Sequence, residues 1–505
     1  MQVLQRLGAA LHNPALSIGL PLTFAIAVWG LLDSQGLRAW AEIIVARQFQ
    51  ARSWFIMLTV STMLIAAVII ALSSAGRIRL GPDASRPAYS TASWLAMLFA
   101  AGMGVGLLFW GAAEPLSHFA QARAHMDTSV AADLALRKTI FHWGLHAWGV
   151  YAMTGLVIAY FVHRLGSAML LSEPLRLALG PAPWVRWVGE GINTLAIAAI
   201  AIGLAGSIAM GVFQLSAGLI SFGLPAAGTG AALTLLALTV AGYMAPLLVD
   251  LSRGMALLSN IAMAIAGGLM IFVLVAGPTS FLMNAMTEQF GSYSTGALVD
   301  GFKTYTFFDG EMTDWFHDWT LTYMVWWLAW SPFVGVFIAR ISRGRTIREF
   351  VLGVLLVPTV FSLAWFGTFG GAGFHAVLRG NDRLLGQART DPGAVTFSVL
   401  EAMPLAVLTK GATIAAAFLF IVTSAVSAAY VLAMFSTRGE YRPAVRIKLA
   451  WGGVLAALAA VMVISDSVEA VRSVIALGAI PFVFVVLLLL VCFLRALRRE
   501  GATDA

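Results

Sequence analysis

Charged residues and cysteine are both scarce in this chain. Asp, Glu, Lys and Arg make up 11% of its 505 residues, whereas soluble domains carry about 25%. Cys492 is the single cysteine, which excludes an intramolecular disulfide and a cysteine-ligated metal centre. The sequence also contains no Gly-x-x-x-x-Gly-Lys phosphate loop, no His-Glu-x-x-His pair and no Gly-x-Ser-x-Gly elbow. Enzyme classes therefore have little support, and no organic cofactor is expected.

Apolar sequence dominates instead. Hydrophobic residues account for 60% of the chain, and the mean hydropathy is +0.87. Windows of about 20 apolar residues, the length that crosses a bilayer, predict twelve spans, which begin near residues 14, 54, 93, 140, 191, 230, 255, 320, 350, 406, 446 and 472. We therefore predict an all-α polytopic membrane protein with one membrane domain.

The net charge of +7 reflects membrane topology rather than binding to nucleic acid. With both termini in the cytoplasm, roughly 19 of the 31 Lys and Arg residues fall on the inner side, as the positive-inside rule requires. The clearest inside signals are two basic loops, which contain Arg340, Arg343, Arg345 and Arg348, and Arg438, Arg442, Arg446 and Lys448. The stretch 339–350 is either a simple topogenic loop or an interfacial helix that moves during function.

Glycines interrupt the third predicted span. Gly102, Gly104 and Gly106 alternate inside it, and because glycine weakens a helix interior by about 1 kcal/mol, we expect unwound backbone there. Pro332 stands within an aromatic cluster in the eighth span, which predicts a second interruption. Broken spans at corresponding positions are typical of secondary transporters with inverted repeats and a binding site at the bilayer midplane.

The spacing of five spans between the two interruptions predicts the domain organisation. The expected parts are two peripheral helices (1–92), a first five-helix repeat (93–283), an acidic extracytoplasmic loop (284–319), a second five-helix repeat (320–496) and a short cytoplasmic tail (497–505).

Sixteen tryptophans suggest two roles. Trp54, Trp94 and Trp184 fit anchors at the membrane interfaces. Others lie close together in two spans: Trp143, Trp148 and Tyr151 in the fourth, and Trp326, Trp327 and Trp330 in the eighth. These rings form either ordinary aromatic packing or a box that binds a quaternary ammonium group by cation–π interaction, without any carboxylate.

Two adjacent hydroxyls, on Thr423 and Ser424 in the tenth span, are candidate ligands for an alkali cation if they face carbonyls freed by the glycine break. The alternative is that they bond to their own helix, as membrane Ser and Thr usually do.

Three further polar residues lie in apolar surroundings. Glu114 precedes Pro115, which should end the third span. We expect the glutamate to stabilise a helix terminus at the outer end of the bundle. The alternative is that it acts as a gate or a proton carrier. His142 and His146 have the spacing of a metal pair, but no acidic partner is evident in the sequence.

These motifs together resemble the betaine/choline/carnitine transporter family over nearly the whole chain. Residues 100–106 followed by Glu114 and Pro115 resemble its glycine segment, and residues 141–148 followed by Tyr151 resemble its fourth helix. Residues 318–335 and 338–346 resemble its signature in and after the eighth helix.

The resemblance implies a twelve-helix carrier with the 5+5 inverted-repeat (LeuT-like) fold, in a bacterial cytoplasmic (inner) membrane, in contact with lipids and forming a homotrimer. It also implies site residues. The substrate box would comprise Trp143, Trp148, Tyr151 and Trp327, lined by Met103. The path on either side would be lined by Trp326, Trp330, Phe333 and Phe337, and sodium would be held by the Thr423 and Ser424 hydroxyls and the carbonyls of Ala100, Met103 and Phe420.

The function that we predict is sodium-coupled symport of betaine-like compounds by alternating access, with a small-molecule substrate and Na⁺ as the coupling ion. Val426 stands where the family's tenth helix commonly has aspartate, and this leaves open proton-coupled or sodium-independent exchange. Choline, carnitine, taurine, ectoine and dimethylsulfoniopropionate are alternative substrates. A channel or a receptor is disfavoured because neither a continuous polar pore nor a signalling domain is visible.

Overall fold

The computed structural model of the chain describes residues 13–102, 104–248, 252–308, 310–466 and 468–503. Within these ranges the secondary structure is helical except for one isolated β-bridge, between Arg79 and Thr346. The helices of the first half are α1 (Pro14–Leu32), α2 (Ser34–Leu72), α3 (Thr91–Gly102), α4 (Val105–Trp110), α5 (Ala113–Arg123), α6 (Thr128–Trp143), α7 (Leu145–Ala159), α8 (Glu173–Leu179), α9 (Pro183–Ile220), α10 (Thr229–Leu248) and α11 (Ser252–Ala276). Those of the second half are α12 (Thr279–Asp300), α13 (Gly310–Trp315), α14 (Thr322–Ile341), α15 (Ile347–Leu378), α16 (Arg383–Thr390), α17 (Pro392–Glu401), α18 (Ala406–Ser436), α19 (Val445–Ile464), α20 (Val468–Ala479) and α21 (Phe482–Thr503).

Eleven stretches of helix in the described residues are long and apolar enough to cross a membrane. This confirms a polytopic membrane protein. The third of the twelve predicted spans does not appear among them because it is divided into α3, of 12 residues, and α4, of 6 residues. The count of twelve spans and the inverted repeat remain predictions.

The glycine segment breaks its helix, as the sequence predicts. Between α3 and α4, Gly104 is extended, with φ −126° and ψ −157°. Met103 lies outside the described residues. The helical path then resumes in α4 and again in α5, where Pro115 stands in the first turn. The expectation that Pro115 ends the helix is therefore wrong, since proline is tolerated in a first turn whose N–H groups have no partner within the helix.

The predicted interruption at Pro332 is also wrong, because α14 runs unbroken through this residue. Proline has no N–H, so the carbonyl of Leu328, four residues earlier, loses its helical donor. The Ser331 hydroxyl donates to that carbonyl at 2.8 Å and satisfies it. The irregular backbone lies earlier instead, in the π-helical stretch Phe316–Leu321, directly before α14.

The expected acidic loop at 284–319 is mostly helical. It comprises most of α12, α13 and the π-helical stretch. Asp300, at the end of α12, is buried and pairs with Lys138 at 2.9 Å and Arg137 at 3.4 Å. The acidic residue therefore balances cations of α6 instead of lying free in a loop.

The basic stretch 339–350 forms a tight turn between α14 and α15 rather than an interfacial helix. The N–H of Gly344 donates to the carbonyl of Leu80 at 2.7 Å, and that of Leu80 to the carbonyl of Arg345 at 2.8 Å. The Arg345 guanidinium lies 4.5 Å from the centre of the Trp94 ring. Trp94 is thus buried among protein side chains, whereas Trp54 and Trp184 are 59% and 57% exposed. The position of these three residues at the membrane interfaces remains a prediction.

Close packing of α14 on α7 brings the aromatic residues of both helices together. A Cβ atom on Gly335 would lie 3.0 Å from the Thr154 side chain, and one on Gly155 would lie 2.5 Å from Ile338. Glycine at these two positions lets the helix backbones approach each other, as in small-residue contacts of membrane helices generally.

We expect Gly335→Val to destabilise the protein by about 1 to 3 kcal/mol, the usual cost of forcing extra methyl groups into a packed interior. Thermal unfolding of the detergent-solubilised protein measures this effect. The matched control is Gly268→Val, because nothing lies within 4 Å of a Cβ atom built there. Equal melting temperatures for the two variants would contradict the close approach of α7 and α14.

Candidate binding site

A small cavity lies between the broken helix α3–α4, the junction of α6 and α7, and helices α9 and α14. Its volume is about 30 Å³, which is room for about one water molecule. The residues that line it are Gly104, Gly106, Trp110, Trp143, Ser207, Met210, Tyr323, Trp326, Trp327 and Trp330. A larger solute would fit only if these rings move apart.

Aromatic rings in mutual contact form one wall of this cavity. The Trp143 ring lies 5.1 Å from that of Trp327 and 5.6 Å from that of Tyr323, measured between centroids. The Tyr323 and Trp326 rings are stacked at 6.2 Å. These separations fall in the range of favourable aromatic pairs, so the cluster is a packed unit as well as a candidate cation site.

Four of the predicted substrate residues therefore line the cavity: Trp143, Trp326, Trp327 and Trp330. Tyr151 and Trp148 pack behind them, with Tyr151 5.8 Å from Trp327 and Trp148 5.5 Å from Tyr151. Phe333 lies 6.0 Å from Trp330, and Phe337, one turn further along α14, is partly buried. The role of these residues in binding remains a prediction.

Two hydrogen-bond donors at the cavity have no partner in the described part of the chain. They are the indole N–H groups of Trp110 and Trp330, both buried. A buried donor without an acceptor is costly, and a polar group of a bound solute would satisfy it.

A buried carboxylate, which the sequence did not lead us to expect here, fixes two rings of the cavity. Glu114 Oε2 accepts hydrogen bonds from Trp143 Nε1 at 2.8 Å and from the Tyr323 hydroxyl at 2.5 Å. Its other oxygen contacts His142 Nδ1 at 2.7 Å. Glu114 stands in the first turn of a helix, as expected, and it is fully buried; its place at the outer end of the bundle remains a prediction.

The same contacts correct the expectation for the two histidines. His142 ends α6 and has Glu114 as an acidic partner, whereas His146 is buried in α7 without a hydrogen bond to any described residue. A sequence signal for the cluster existed, since Glu114 and His118 are four residues apart in one helix and His142 directly precedes Trp143.

Glu114, His118 and His142 are close enough to suggest a metal centre, since their ligand atoms lie within 4.8 Å of one another. Hydrogen bonding at His118 argues against it. Trp315 Nε1, which can only donate, points at His118 Nδ1 from 3.3 Å. The proton of a neutral His118 is therefore on Nε2, the atom that faces Glu114 at 3.4 Å, and a protonated nitrogen cannot bind a metal.

The predicted sodium ligands lie beside the helix break. The Ser424 hydroxyl is 3.7 Å from the position of a Cβ atom on Gly104. The Thr423 hydroxyl donates to the carbonyls of Leu419 at 2.9 Å and Phe420 at 3.2 Å in its own helix. Ala100 belongs to α3, and Met103 lies outside the described residues. Their role in binding an ion remains a prediction.

A wider vestibule of about 480 Å³ adjoins the cavity near the start of α14, and Trp110 lines both spaces. Its walls also include Trp315 and Trp319, and the Arg472 guanidinium lies 4.3 Å from the Trp319 ring centre. Arg472 could not be predicted as a residue of this site, because nothing in its local sequence connects α20 with the aromatic residues before α14.

The short helix α4 is held from two sides. Trp365 Nε1 of α15 donates to the carbonyl of Leu107 at 2.9 Å, and the Thr396 hydroxyl of α17 donates to that of Leu108 at 3.0 Å. A helix of six residues leaves carbonyls without intrahelical partners, and the lipid interior offers no water to satisfy them. These two side chains therefore stabilise the break on which the cavity depends.

A fold of many apolar helices with a small aromatic-lined cavity beside a broken helix is typical of a class of solute transporters, and comparison with known proteins shows that class. Residues 15–502 match the BCCT, betaine/carnitine/choline family transporter. The chain is 37% identical to the glycine betaine transporter OpuD of Bacillus subtilis over 96% of its own length and 94% of that protein's. It is 37% identical to a glycine betaine transporter of Acinetobacter baylyi over 89% of its own length and 68% of that protein's. It is 32% identical to an ectoine/hydroxyectoine transporter of Virgibacillus pantothenticus over 97% of the length of each. The chain belongs to the betaine/carnitine/choline transporter family.

We expect Trp365→Phe to destabilise the protein by about 1 to 3 kcal/mol, because it leaves the buried Leu107 carbonyl without a donor. Thermal unfolding measures the change. Trp54→Phe is the control, since Trp54 is exposed on α2 and should be close to neutral. A Trp365→Phe variant as stable as this control would show that the Leu107 carbonyl finds another donor.

Proposed function

We propose that this transporter takes up betaine-like quaternary ammonium or zwitterionic compounds by sodium-coupled symport with alternating access. The observation that carries the proposal is the contact of Trp143, Tyr323 and Trp327 at a small cavity beside a broken membrane helix. An ammonium group that bears only methyl groups cannot donate strong hydrogen bonds, and aromatic faces are the surface that recognises it.

The two unpartnered indole donors support a zwitterionic substrate. Trp110 and Trp330 both line the cavity and each carries a buried N–H group without a partner among the described residues, and a carboxylate that reached them is the acceptor that would satisfy such donors best. Glycine betaine has both a trimethylammonium and a carboxylate group, and it appears in the names of two of the relatives. Ectoine, named for a third relative, is the second candidate, since it too combines a delocalised cation with a carboxylate.

The unequal sizes of the two spaces support alternating access. The cavity of about 30 Å³ is much smaller than the vestibule of about 480 Å³, and Trp110 lines both. Substrate would cross from the vestibule when these rings separate. We further propose that both termini are cytoplasmic, that the vestibule faces outward, and that the chain follows the twelve-span, 5+5 inverted-repeat and homotrimeric organisation implied by the sequence.

Sodium would bind where α18 passes the break between α3 and α4. Hydroxyl and carbonyl oxygens are the hard ligands that an alkali cation requires, and Thr423, Ser424 and the Phe420 carbonyl supply them beside Gly104. The Thr423 hydroxyl would rotate so that its oxygen lone pairs face the ion. Sodium drives transport only to the extent that it binds one conformation better than the other.

We expect Trp327→Leu to raise the Kd for glycine betaine by roughly 3- to 30-fold, because one cation–π contact contributes about 0.5 to 2 kcal/mol. Calorimetric titration of the purified protein in sodium buffer measures this. Trp184→Leu, which removes an exposed ring of α9, is the control. An unchanged Kd in Trp327→Leu would remove this ring from the site.

We expect Thr423→Ala combined with Ser424→Ala to abolish the sodium dependence of uptake while the protein remains folded. Uptake of radiolabelled glycine betaine into proteoliposomes, with and without an inward sodium gradient, measures this effect. Thr234→Ala is the matched control, because the Thr234 hydroxyl makes the same type of bond, 2.9 Å long, to its own helix at an exposed position. Sodium-driven uptake that survives in the double variant would exclude these hydroxyls as ligands.

A further inference from the structure

Glu114 is connected to the cavity through two aromatic side chains that donate hydrogen bonds to it. Its Oε2 atom accepts from both Trp143 and Tyr323, and both rings line the cavity. Among the described residues that line the cavity, the Tyr323 phenol is the one ionisable group. A single carboxylate thus lies one ring away from the space where a substrate headgroup would bind.

The surroundings of this carboxylate favour its negative form. Trp143 Nε1 can only donate, and its N–H bonds to Glu114 Oε2 at 2.8 Å. The Tyr323 hydroxyl lies 2.5 Å from the same oxygen and His142 Nδ1 lies 2.7 Å from the other, whereas His118 Nε2 is 3.4 Å away and forms no hydrogen bond. A carboxylate can accept a hydrogen from each of the three close partners, whereas a protonated carboxyl would add a further hydrogen to the same space.

Lysine and arginine do not cancel this charge directly. Among the described residues, no Lys or Arg nitrogen forms an ion pair with Glu114. The buried ammonium of Lys138 is 2.9 Å from Asp300, and the Arg472 guanidinium lies over the Trp319 ring. The histidines are the groups that share the site with Glu114.

Hydrogen bonds to a carboxylate also change the rings that donate them. When an indole N–H or a phenol O–H donates to an anion, electron density shifts into the ring, because charge-assisted bonds polarise their partners. The faces of Trp143 and Tyr323 become more negative, and a cation bound against them is held more strongly.

We propose that Glu114 is the residue that makes the cavity selective for a positively charged headgroup, by placing a buried negative charge behind Trp143 and Tyr323 and by fixing both rings. This inference rests on the proposed function and deepens it. Glu114 acts through the rings and is a positioning and selectivity residue that does not touch the substrate.

The test compares glycine betaine with 3,3-dimethylbutanoate, in which carbon replaces the ammonium nitrogen and the carboxylate is retained. Their Kd values are measured by calorimetric titration of the purified, full-length protein in sodium buffer. We expect the wild-type protein to prefer glycine betaine and Glu114→Gln to reduce this preference by about tenfold, as expected for a charge interaction across one ring. The affinity for 3,3-dimethylbutanoate should stay the same or rise.

Two further variants make the test specific. Tyr323→Phe removes one of the polarising hydrogen bonds but keeps the carboxylate, so the preference should fall by about threefold. If the Glu114→Gln variant is not monodisperse, the Tyr323→Phe variant alone tests the proposal. Glu190→Gln is the control for loss of a carboxylate, since Glu190 lies in α9 beside a separate polar pocket with Arg186 and Arg438, and it should leave the preference unchanged.

The possible outcomes separate the two proposals. Equal losses of affinity for both ligands in Glu114→Gln would reveal a merely structural role and overturn the inference, and so would an unchanged preference in Glu114→Gln and Tyr323→Phe. Wild-type protein that binds neither ligand would instead contradict the proposed substrate class, and the inference about Glu114 would fall with it.

Discussion

Within a bilayer, every backbone polar group needs a partner from the protein, because lipid offers none. The break around Gly104 is possible only because other helices meet that requirement: Trp365 and Thr396 donate to carbonyls of α4. Once the break is stabilised, the chain can turn Trp110 towards the vestibule and bring Gly106 close to Trp143. The cavity, its access path and the candidate ion position beside Ser424 all follow from this one irregular stretch of backbone.

A second constraint operates within the aromatic cluster. Large rings fill space well but orient poorly unless their polar atoms are fixed. Glu114 fixes Trp143 and Tyr323, while Trp327 Nε1 donates to the His142 carbonyl at 2.7 Å. The residues that fix the rings come from α5 and the end of α6, whereas Tyr323 and Trp327 come from α14. Hydrogen bonding therefore couples α5 and α6 to α14, which is distant from them in the sequence.

Much of this structure was accessible from the sequence. Hydropathy placed α18 and α19 within a residue of their observed starts, because both helices begin where apolar sequence begins. It placed α2 too late, since the helix starts at Ser34 and its first half is polar, supported by pairs such as Arg38 with Glu42 at 2.7 Å.

The break at Gly104 was predicted because glycine acts locally on the backbone. The continuity of α14 through Pro332 was not predicted, because it depends on the Ser331 hydroxyl, which compensates for the N–H group that proline lacks. The tryptophans of the candidate site were identifiable by their spacing. The contacts of Glu114 with His142 and Tyr323 were not, because these partners are distant in the sequence and only the packing of α5 against α6 and α14 brings them together.

The most direct measurement of the proposed function is the uptake of radiolabelled glycine betaine by the wild-type protein in proteoliposomes, with an inward sodium gradient and with sodium replaced by potassium. We expect saturable accumulation above the external concentration with the sodium gradient and only equilibration without it. Equal accumulation in potassium would contradict sodium coupling and favour proton coupling or exchange, and no saturable uptake in either condition would contradict glycine betaine as the substrate.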